Sequence, residues 1–498
     1  CMDDGTLGDD VDTLIKDFET VRRVGSSLGL QLNEQKCELV TDDPAVIKKF
    51  RAIAPTILHV NSSCASLLGA PIGSAEEIDG FLVKNLEEFR RLAFTLKQLN
   101  AHDAFFLLKN CFSLPKLQYI LRCAPCYDSR VLLEYDDTIR DTLQSIFNIS
   151  LTDQAWQQGS LPIKNGGLGI RLASQVSLPS FLSSVASCSY LSLQLLPTRF
   201  HSSAGSNDQL YVSAVEEWKF RSGKGEPPQN VFDQRSWDEP VVSVTMQQVL
   251  STARNQASVA RLIAAAAPHS GAFLQALPCS AVGTRLDDTT LRIAIALRLG
   301  SPVCAPHTCV CGAEVNSSGI HGLSCRKSSG RYIRHNALND LIKRALNTAE
   351  VPARLEPSSL SRSDGKRPDG MSLMPWKQGR CLVWDVTCPD TMALSHLDRA
   401  VTGPGAVATA AEYKKRSKYF EISKSYEFVP IGVETLGAFG EDASDFLTEL
   451  GARIVSVTKD HRAFEFLMQR ISVAIQRGNA ASILGTLESS SNLDAFYI

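Results

Sequence analysis

Two aspartates in the last third of the chain have the residue type and setting that phosphodiester cleavage requires. Asp369 lies in a predicted turn, within residues 367–370 (RPDG), and Asp385 lies inside the apolar run 382–386 (LVWDV). Two carboxylates are sufficient protein ligands for Mg²⁺, which keeps several waters of its own. The cation neutralises phosphate oxygens and lowers the pKa of an attacking water. The sequence therefore predicts a catalytic magnesium site at Asp369 and Asp385.

A lysine beside such a pair stabilises the charge that develops on the phosphate. The usual position of this lysine, two residues after the second acid, is occupied here by Thr387. Residues 412–419 (EYKKRSKY) read as a helix, on which Lys415 and Lys418 share a face because they are three residues apart. Either lysine fits the role. Glu356, which precedes Asp369 in the chain, is a further candidate carboxylate.

A simpler interpretation of these residues is also open. Pro-Asp pairs are common in ordinary turns, and the chain has a second one at residues 389–390. An aspartate inside an apolar strand is harder to explain, because strands disfavour Asp and a buried carboxylate needs a partner or a metal. Asp385 is therefore the more informative of the two acids.

A second group of candidate ligands is a cluster of Cys and His. Cys309, Cys311, His321 and Cys325 supply four ligands of the type that holds tetrahedral Zn²⁺. One residue between the first two cysteines is a short spacing, so Cys304 or His307 is an alternative ligand, and buried free thiols are the alternative to a metal site. A knuckle of this kind would present neighbouring basic residues to a phosphate backbone, namely Arg326, Lys327, Arg331 and Arg334, the last of which is followed by His335.

Length and composition indicate several globular domains. A chain of 498 residues exceeds what one core organises, and 44% hydrophobic with 21% charged residues is typical of a folded protein. The net charge of -2 predicts that any nucleic-acid binding is regional. We expect no transmembrane segment, and the 14 cysteines without a leader indicate a reducing compartment. A start at Cys1 predicts the C-terminal part of a longer protein.

The N-terminal end carries a third set of acids. Asp3 and Asp4 precede Gly5 in a predicted hairpin tip, where adjacent carboxylates can contribute to a two-metal site for phosphoryl transfer. An amphipathic helix is predicted over residues 11–28. It is followed by the segment 29–36 (GLQLNEQK), which ends at Lys36, and by a Leu-Gly turn within residues 67–73.

Taken in order, these motifs resemble the C-terminal half of a non-LTR retrotransposon polyprotein of the class with a restriction-like endonuclease, over nearly the whole chain. The resemblance implies that Asp3 and Asp4 are the second metal-binding element of a reverse transcriptase palm. It also implies that Lys36 lies near the incoming nucleotide and that the Leu-Gly turn contacts the primer strand. The first catalytic Asp and the fingers would precede residue 1, so we expect no polymerase activity from this chain alone.

The predicted fold is a multi-domain α+β chain with six parts. These are a partial polymerase palm (1–75), a helical thumb (76–200), a helical linker (201–300), a CCHC-type zinc knuckle (301–328), a restriction-endonuclease-like α/β domain of the PD-(D/E)xK type (329–445) and C-terminal helices (446–498). Apolar residues at helical spacing predict a thumb helix over 81–99. Residues 221–239 are predicted to be a flexible linker, the glycines at 166–169 an ordered loop, and Gly478 the end of a helix.

The resemblance implies Mg²⁺-dependent strand breaks in target DNA in the nucleus, with a 3′-hydroxyl that primes reverse transcription of element RNA in intact relatives. The implied partners are therefore target DNA, element RNA and a primer-template duplex. Cutting both strands requires two nuclease centres, as in a homodimer, or sequential action. The alternative is an inert copy that still binds nucleic acid. Redox chemistry of the cysteines is disfavoured, because no Cys-x-x-Cys lies near a βαβ pattern.

Overall fold

The computed structural model describes residues 5–62, 65–195, 205–360 and 367–487. Asp3 and Asp4 lie outside these residues. The N-terminal region has a small core around Phe18, Leu39 and Phe50, and β1 pairs with β2 in parallel. Its elements are α1 (Val11–Ser27), β1 (Glu38–Val40), α2 (Pro44–Arg51), β2 (Leu58–Val60), β3 (Ser66–Leu67) and β4 (Ala70–Pro71). The predicted helix over 11–28 is confirmed as α1.

The Leu-Gly turn joins β3 and β4 in a short antiparallel hairpin. Leu68 and Gly69 both have positive φ, at 50° and 82°, a backbone conformation in which glycine is preferred and leucine is uncommon. The Tyr119 hydroxyl donates a 2.8 Å hydrogen bond to the Leu68 carbonyl, so the turn is attached to the helical region that follows.

Helices make up the middle of the chain. They are α3 (Ala75–Leu96), α4 (Ala101–Leu107), α5 (Leu114–Cys123), α6 (Arg130–Phe147), α7 (Asp153–Gly159), α8 (Ala173–Leu195), α9 (Gly205–Ser222), α10 (Gln234–Ser251), α11 (Gln256–Ala265) and α12 (Asp288–Leu299). The predicted helix over 81–99 corresponds to α3, which begins six residues earlier and ends three residues earlier. The predicted linker over 221–239 is only partly right, because α10 begins inside it. Trp218 and Trp237 are buried and pack edge to face, and the Trp218 indole donates a 2.7 Å hydrogen bond to the Trp237 carbonyl.

The glycine-rich loop at residues 166–169 is an ordered structural feature. Gly166 has a φ of 87°, and its carbonyl accepts a 3.0 Å hydrogen bond from buried Gln158. The Gly167 carbonyl accepts a 3.1 Å bond from buried Arg298. A Cβ at Gly167 would lie 2.0 Å from the Leu161 carbonyl oxygen. Glycine is therefore required here by close backbone packing around a buried arginine.

The last region contains a small hairpin and a mixed four-stranded sheet. Its elements are β5 (His307–Thr308), β6 (Glu314–Val315), α13 (His321–Ser324), α14 (Gly330–Thr348), β7 (Ala353–Leu355), β8 (Gly370–Lys377), β9 (Arg380–Thr387), α15 (Leu397–Ala400), α16 (Ala406–Lys418), α17 (Phe420–Ser423), β10 (Glu427–Gly432), α18 (Glu441–Thr458) and α19 (Ala463–Leu484). The strand order is β10-β9-β8-β7. β7, β8 and β9 are antiparallel, whereas β9 and β10 are parallel, so the chain crosses over between them through α16.

Helices cover both faces of this sheet. On one face, Trp384 and Val386 of β9 pack with apolar residues of α14, α18 and α19. On the other face, Val383 packs with Tyr419 and Phe428, beside α16. Because successive strand residues alternate between faces, Asp385 shares the α16 face with Val383. None of the helices in the described parts of the chain has the length and apolarity needed to cross a membrane.

The predicted helix end at Gly478 is wrong. α19 continues to Leu484, and Gly478 is a point of close helix packing inside it. A Cβ at Gly478 would lie 2.3 Å from the Cβ of Arg334 on α14. Composition cannot distinguish a glycine that ends a helix from one that lets two helices approach, since both require the absence of a side chain.

Candidate functional site

Asp369, immediately before β8, lies beside Asp385 of the neighbouring strand β9. Gly370 is opposite Trp384 in the antiparallel register, and Asp369 immediately precedes Gly370. The Asp369 amide donates a 3.0 Å hydrogen bond to the Trp384 carbonyl. Its side-chain Oδ2 accepts a 2.6 Å bond from the Val386 amide. Both of these β9 residues adjoin Asp385, so the structure brings the two predicted acids together.

This pairing depends on the absence of a side chain at Gly370. A Cβ there would lie 2.1 Å from the Trp384 ring, which is fully buried. We expect Gly370→Ala to lower the free energy of unfolding by about 1–3 kcal/mol, because overpacking displaces the indole or the strand. Urea denaturation measures this change. Gly403→Ala is the matched control, since a Cβ there meets nothing within 4 Å; equal stability of the two variants would contradict the expectation.

Lys415 is the lysine that reaches the acids. Its Nζ forms an ion pair with Oδ1 of Asp385, whose side chain is only 4% exposed. A buried carboxylate requires such a partner. Lys418 points elsewhere, with its Nζ 2.8 Å from the Tyr419 hydroxyl and over the ring of that residue. Of the two alternatives left open by the sequence, the structure therefore places Lys415 at Asp385.

Two buried glutamates fix α16, the helix that carries Lys415. Glu434 accepts hydrogen bonds from the first amides of α16. Glu412, on α16 itself, accepts three bonds of 3.0–3.1 Å from the amides of Gly432, Asp442 and Ala443. Burial raises the pKa of Glu412 to about 7 despite these donors. The helix is thus attached to β10 and to the start of α18.

His335 on α14 is a residue of this site that the sequence interpretation missed. Its Nε2 is 3.0 Å from Oδ2 of Asp369. Burial raises the pKa of Asp369, but hydrogen bonding and charge from His335 outweigh this effect and the net shift is downward. The same hydrogen bond raises the pKa of His335. His335 and Asn339 are spaced i,i+4, a pattern that could have suggested a shared helix face.

The remaining predicted site residues are more dispersed. Glu356 has an exposed side chain paired with Arg367, and contacts Asp369 only through a 2.8 Å backbone hydrogen bond to its carbonyl. Lys36 is exposed in a short turn of the N-terminal region. Asp3 and Asp4 lie outside the described residues. Among the predicted catalytic acids that lie in the described residues, therefore, only Asp369 and Asp385 share a site.

Three of the four predicted phosphate-binding residues are exposed beside the knuckle, namely Arg326, Lys327 and Arg331. Arg334 is the exception, and its prediction as a DNA contact is wrong. It is 2% exposed, and its guanidinium donates a 2.6 Å hydrogen bond to Asn479 on α19. In the sequence, Arg334 and His335 look like part of a basic surface. In the helix, however, Arg334 is buried, whereas the next residue, His335, faces Asp369.

The Cys and His cluster forms as predicted. Cys309 and Cys311 lie in the turn between β5 and β6, while His321 begins α13 and Cys325 follows it. Their ligand atoms all lie within 4.8 Å of one another, and this geometry could hold Zn²⁺. The Ala313 amide helps lower the pKa of Cys311 to about 7, whereas burial raises that of Cys309 to about 11. A bound cation would offset the cost of ionising Cys309.

The two alternative zinc ligands have other partners. Cys304 is buried, and its thiol donates to the Asn316 carbonyl at 3.5 Å. His307 places its ring nitrogens 3.0 Å from the Ala305 carbonyl and 2.8 Å from the Thr486 hydroxyl. Among the described residues, the quartet of Cys309, Cys311, His321 and Cys325 is the only group of three or more such ligands in mutual reach.

The cluster is attached to the C-terminal helix. The Val310 amide donates a 3.1 Å hydrogen bond to the Thr486 carbonyl, and the Ser328 hydroxyl donates a 2.9 Å bond to the Ser482 carbonyl. A Cβ at Gly330, the first residue of α14, would lie 2.2 Å from the Ser482 amide nitrogen. α19 therefore contacts both the knuckle and the helix that carries His335.

Asp369 and Asp385 offer carboxylate oxygens, a different type of ligand from the thiols of the knuckle. Two carboxylates match Mg²⁺, which binds few protein oxygens and completes its shell with water and phosphate. Here Lys415 provides positive charge at Asp385, and His335 contacts Asp369 through its ring nitrogen. The arrangement can therefore place a cation, a lysine ammonium and a phosphate in one small region.

Comparison with known proteins adds a distant relationship. No protein-family model matches the chain. The chain is 23% identical over 425 residues to the "Retrotransposable element SLACS 132 kDa protein" of Trypanosoma brucei gambiense. The aligned region covers 82% of this chain but 31% of the relative. The chain is thus similar, over most of its length, to about a third of a retrotransposon protein.

Proposed function

We propose that this chain is a metal-dependent DNA endonuclease and nucleic-acid-binding segment of a non-LTR retrotransposon reverse transcriptase. The observation that carries the proposal is the pair of adjacent acids, Asp369 and Asp385, with Lys415 on the buried member. The distant similarity to a retrotransposon protein supports the same class of function. The nick would prime reverse transcription of bound element RNA in the intact protein, and the site of action would be the nucleus.

In this proposal, each side chain has a separate task. Asp369 and Asp385 would hold Mg²⁺, which when bound neutralises phosphate oxygens and activates a water. Lys415 would stay beside Asp385 and place its ammonium near the charge that develops on the scissile phosphate. Exposed Arg326, Lys327 and Arg331 would bind the DNA backbone through charge alone, which carries no base specificity.

Nicking of supercoiled plasmid by the purified chain tests the proposal. We expect relaxed circles in Mg²⁺, none in EDTA, and ligatable 3′-hydroxyl ends at the nicks. A folded chain that gives no nicks in Mg²⁺ or Mn²⁺ would refute the nuclease and favour the alternative, an inert copy. Retained DNA binding in a gel-shift assay would then identify a binding remnant.

The lysine assignment gives a separate prediction. Because Lys415 contacts Asp385 whereas Lys418 contacts Tyr419, we expect Lys415→Met to lower the nicking rate by about 10²–10³-fold, the size of a lost electrostatic contact in the transition state. Lys418→Met, on the same helix, should change it by less than about tenfold. Single-turnover rates at saturating DNA measure the difference. The reverse order would assign the catalytic lysine to position 418.

A further inference from the structure

A series of polar contacts leads from Trp384 through Asn339 and His335 to Asp369. Within this series, the side-chain amide of Asn339 can adopt only one orientation. The indole Nε1 of buried Trp384 donates a 2.9 Å hydrogen bond to Oδ1 of Asn339. Indole nitrogen is only a donor, so the amide oxygen must face Trp384 and the amide NH₂ must face away from it. The opposite orientation would bring two donors together in a buried place, at a cost comparable to an unsatisfied polar group.

This orientation determines how the His335 ring is used. The Asn339 Nδ2 is 3.4 Å from Nδ1 of His335. An amide NH₂ in that position makes Nδ1 the acceptor, so the ring proton of the neutral imidazole lies on Nε2. Nε2 then donates to Oδ2 of Asp369 over 3.0 Å. The imidazolium would keep this same donation.

The helix backbone that carries His335 is held in place from its other side. Arg334, the preceding residue, is buried and bonded to Asn479, and Gly478 lets α19 pack against it. On the other side of the carboxylate, the Val386 amide donates to the same Oδ2. Two donors from separate elements, a helix and a strand, therefore fix one oxygen of Asp369.

We infer that His335 is a positioning residue for Asp369, and that Trp384 holds it in place through Asn339. Its consequence is that Asp369 is orientated for a cation before the cation arrives, and this consequence rests on the proposed nuclease function. Hydrogen-bonded groups behind a metal ligand have this effect, and their loss typically weakens metal affinity by about 10–100-fold. His335 itself is not assigned to contact the metal or the phosphate.

Two measurements test the inference, and the first needs no metal and no activity. Nitrogen-15 spectra of the metal-free chain in mildly alkaline solution report the ring tautomer, with the His335 signals identified by their loss in His335→Gln. We expect the proton on Nε2. A proton on Nδ1 would overturn the inference whether or not the chain is a nuclease.

The second measurement is Mn²⁺ affinity by calorimetry, on chain whose Cys and His cluster is already loaded with zinc. We expect His335→Ala to weaken Mn²⁺ binding by about 10–100-fold. His335→Gln should lose less, because its amide can still donate to Asp369. Unchanged affinity in His335→Ala would overturn the positioning role. If the parent chain shows neither Mn²⁺ binding nor nicking, the proposed function fails instead, and the tautomer measurement still decides the contact geometry.

Discussion

We expect Asp385→Ala to abolish measurable plasmid nicking, with a loss of about 10²–10³-fold or more, because in the proposed nuclease it removes an electrostatic element of the reacting site. Asp385 is the buried member of the acid pair and the partner of Lys415. Its loss would remove a proposed magnesium ligand and leave the Lys415 ammonium without its carboxylate. Initial nicking rates at saturating Mg²⁺ measure the effect.

Stability has to be separated from chemistry in this experiment. Removing one partner of a buried ion pair destabilises a protein by about 3–5 kcal/mol, although partial exposure of Lys415, at 26% of its side chain, reduces that cost. The double variant Asp385→Ala with Lys415→Met should recover much of the lost stability and none of the nicking. Asp398→Ala, which removes an acid bonded only to Gln256 among the described contacts, is the control. Nicking by folded Asp385→Ala at the parental rate would refute the role of this acid.

Zinc removal is expected to have the largest effect on stability. Structural zinc contributes its binding free energy to folding, and a loss of several kcal/mol corresponds to a fall in Tm of about 5 °C or more in a chain of this size. Because α19 contacts both the cluster and the helix of His335, nicking should fall together with stability. Calorimetry and nicking assays after treatment with a zinc chelator measure both effects.

Cysteine variants show whether the effect belongs to the cluster. Cys325→Ser should reproduce the loss of stability and lower the amount of bound zinc below one ion per chain. Cys123→Ser is the matched control, since Cys123 is an exposed free thiol of α5. If the metal-free chain melts at the same temperature as the zinc-loaded chain, the cluster has no structural role.

The parts of the site that were predictable are those that depend on local sequence. Asp385 interrupts an apolar strand, and such an exception to strand composition is visible without any tertiary contact. The quartet of Cys309, Cys311, His321 and Cys325 is similarly compact in the chain, and its closeness in space is confirmed. The mixed organisation of helices and strands is confirmed, but it was predicted from the family resemblance and not from a local pattern.

The parts that were not predictable depend on the angle at which helices pack. Lys415 and Lys418 share a helical face, and only the position of α16 against β9 directs the first to Asp385. Arg334 and His335 are adjacent, yet one is buried against α19 and the other contacts Asp369. A rotation of α14 by one residue would exchange these roles. The apolar residues of α14 at helical spacing from Arg334 mark its buried side, but the sequence does not identify the partner of His335.

The path of α19 has a consequence for how this chain can be divided or recombined. The helix supplies Leu467, Ile471 and Ile475 to the core beneath the sheet, and its last turn supports the Cys and His cluster, which precedes the sheet by many residues. A fragment ending before α18 would therefore lose the helices that cover one face of the sheet, as well as the helix end that supports the knuckle. We therefore expect that exchange of either site between relatives requires α19 to be exchanged with it.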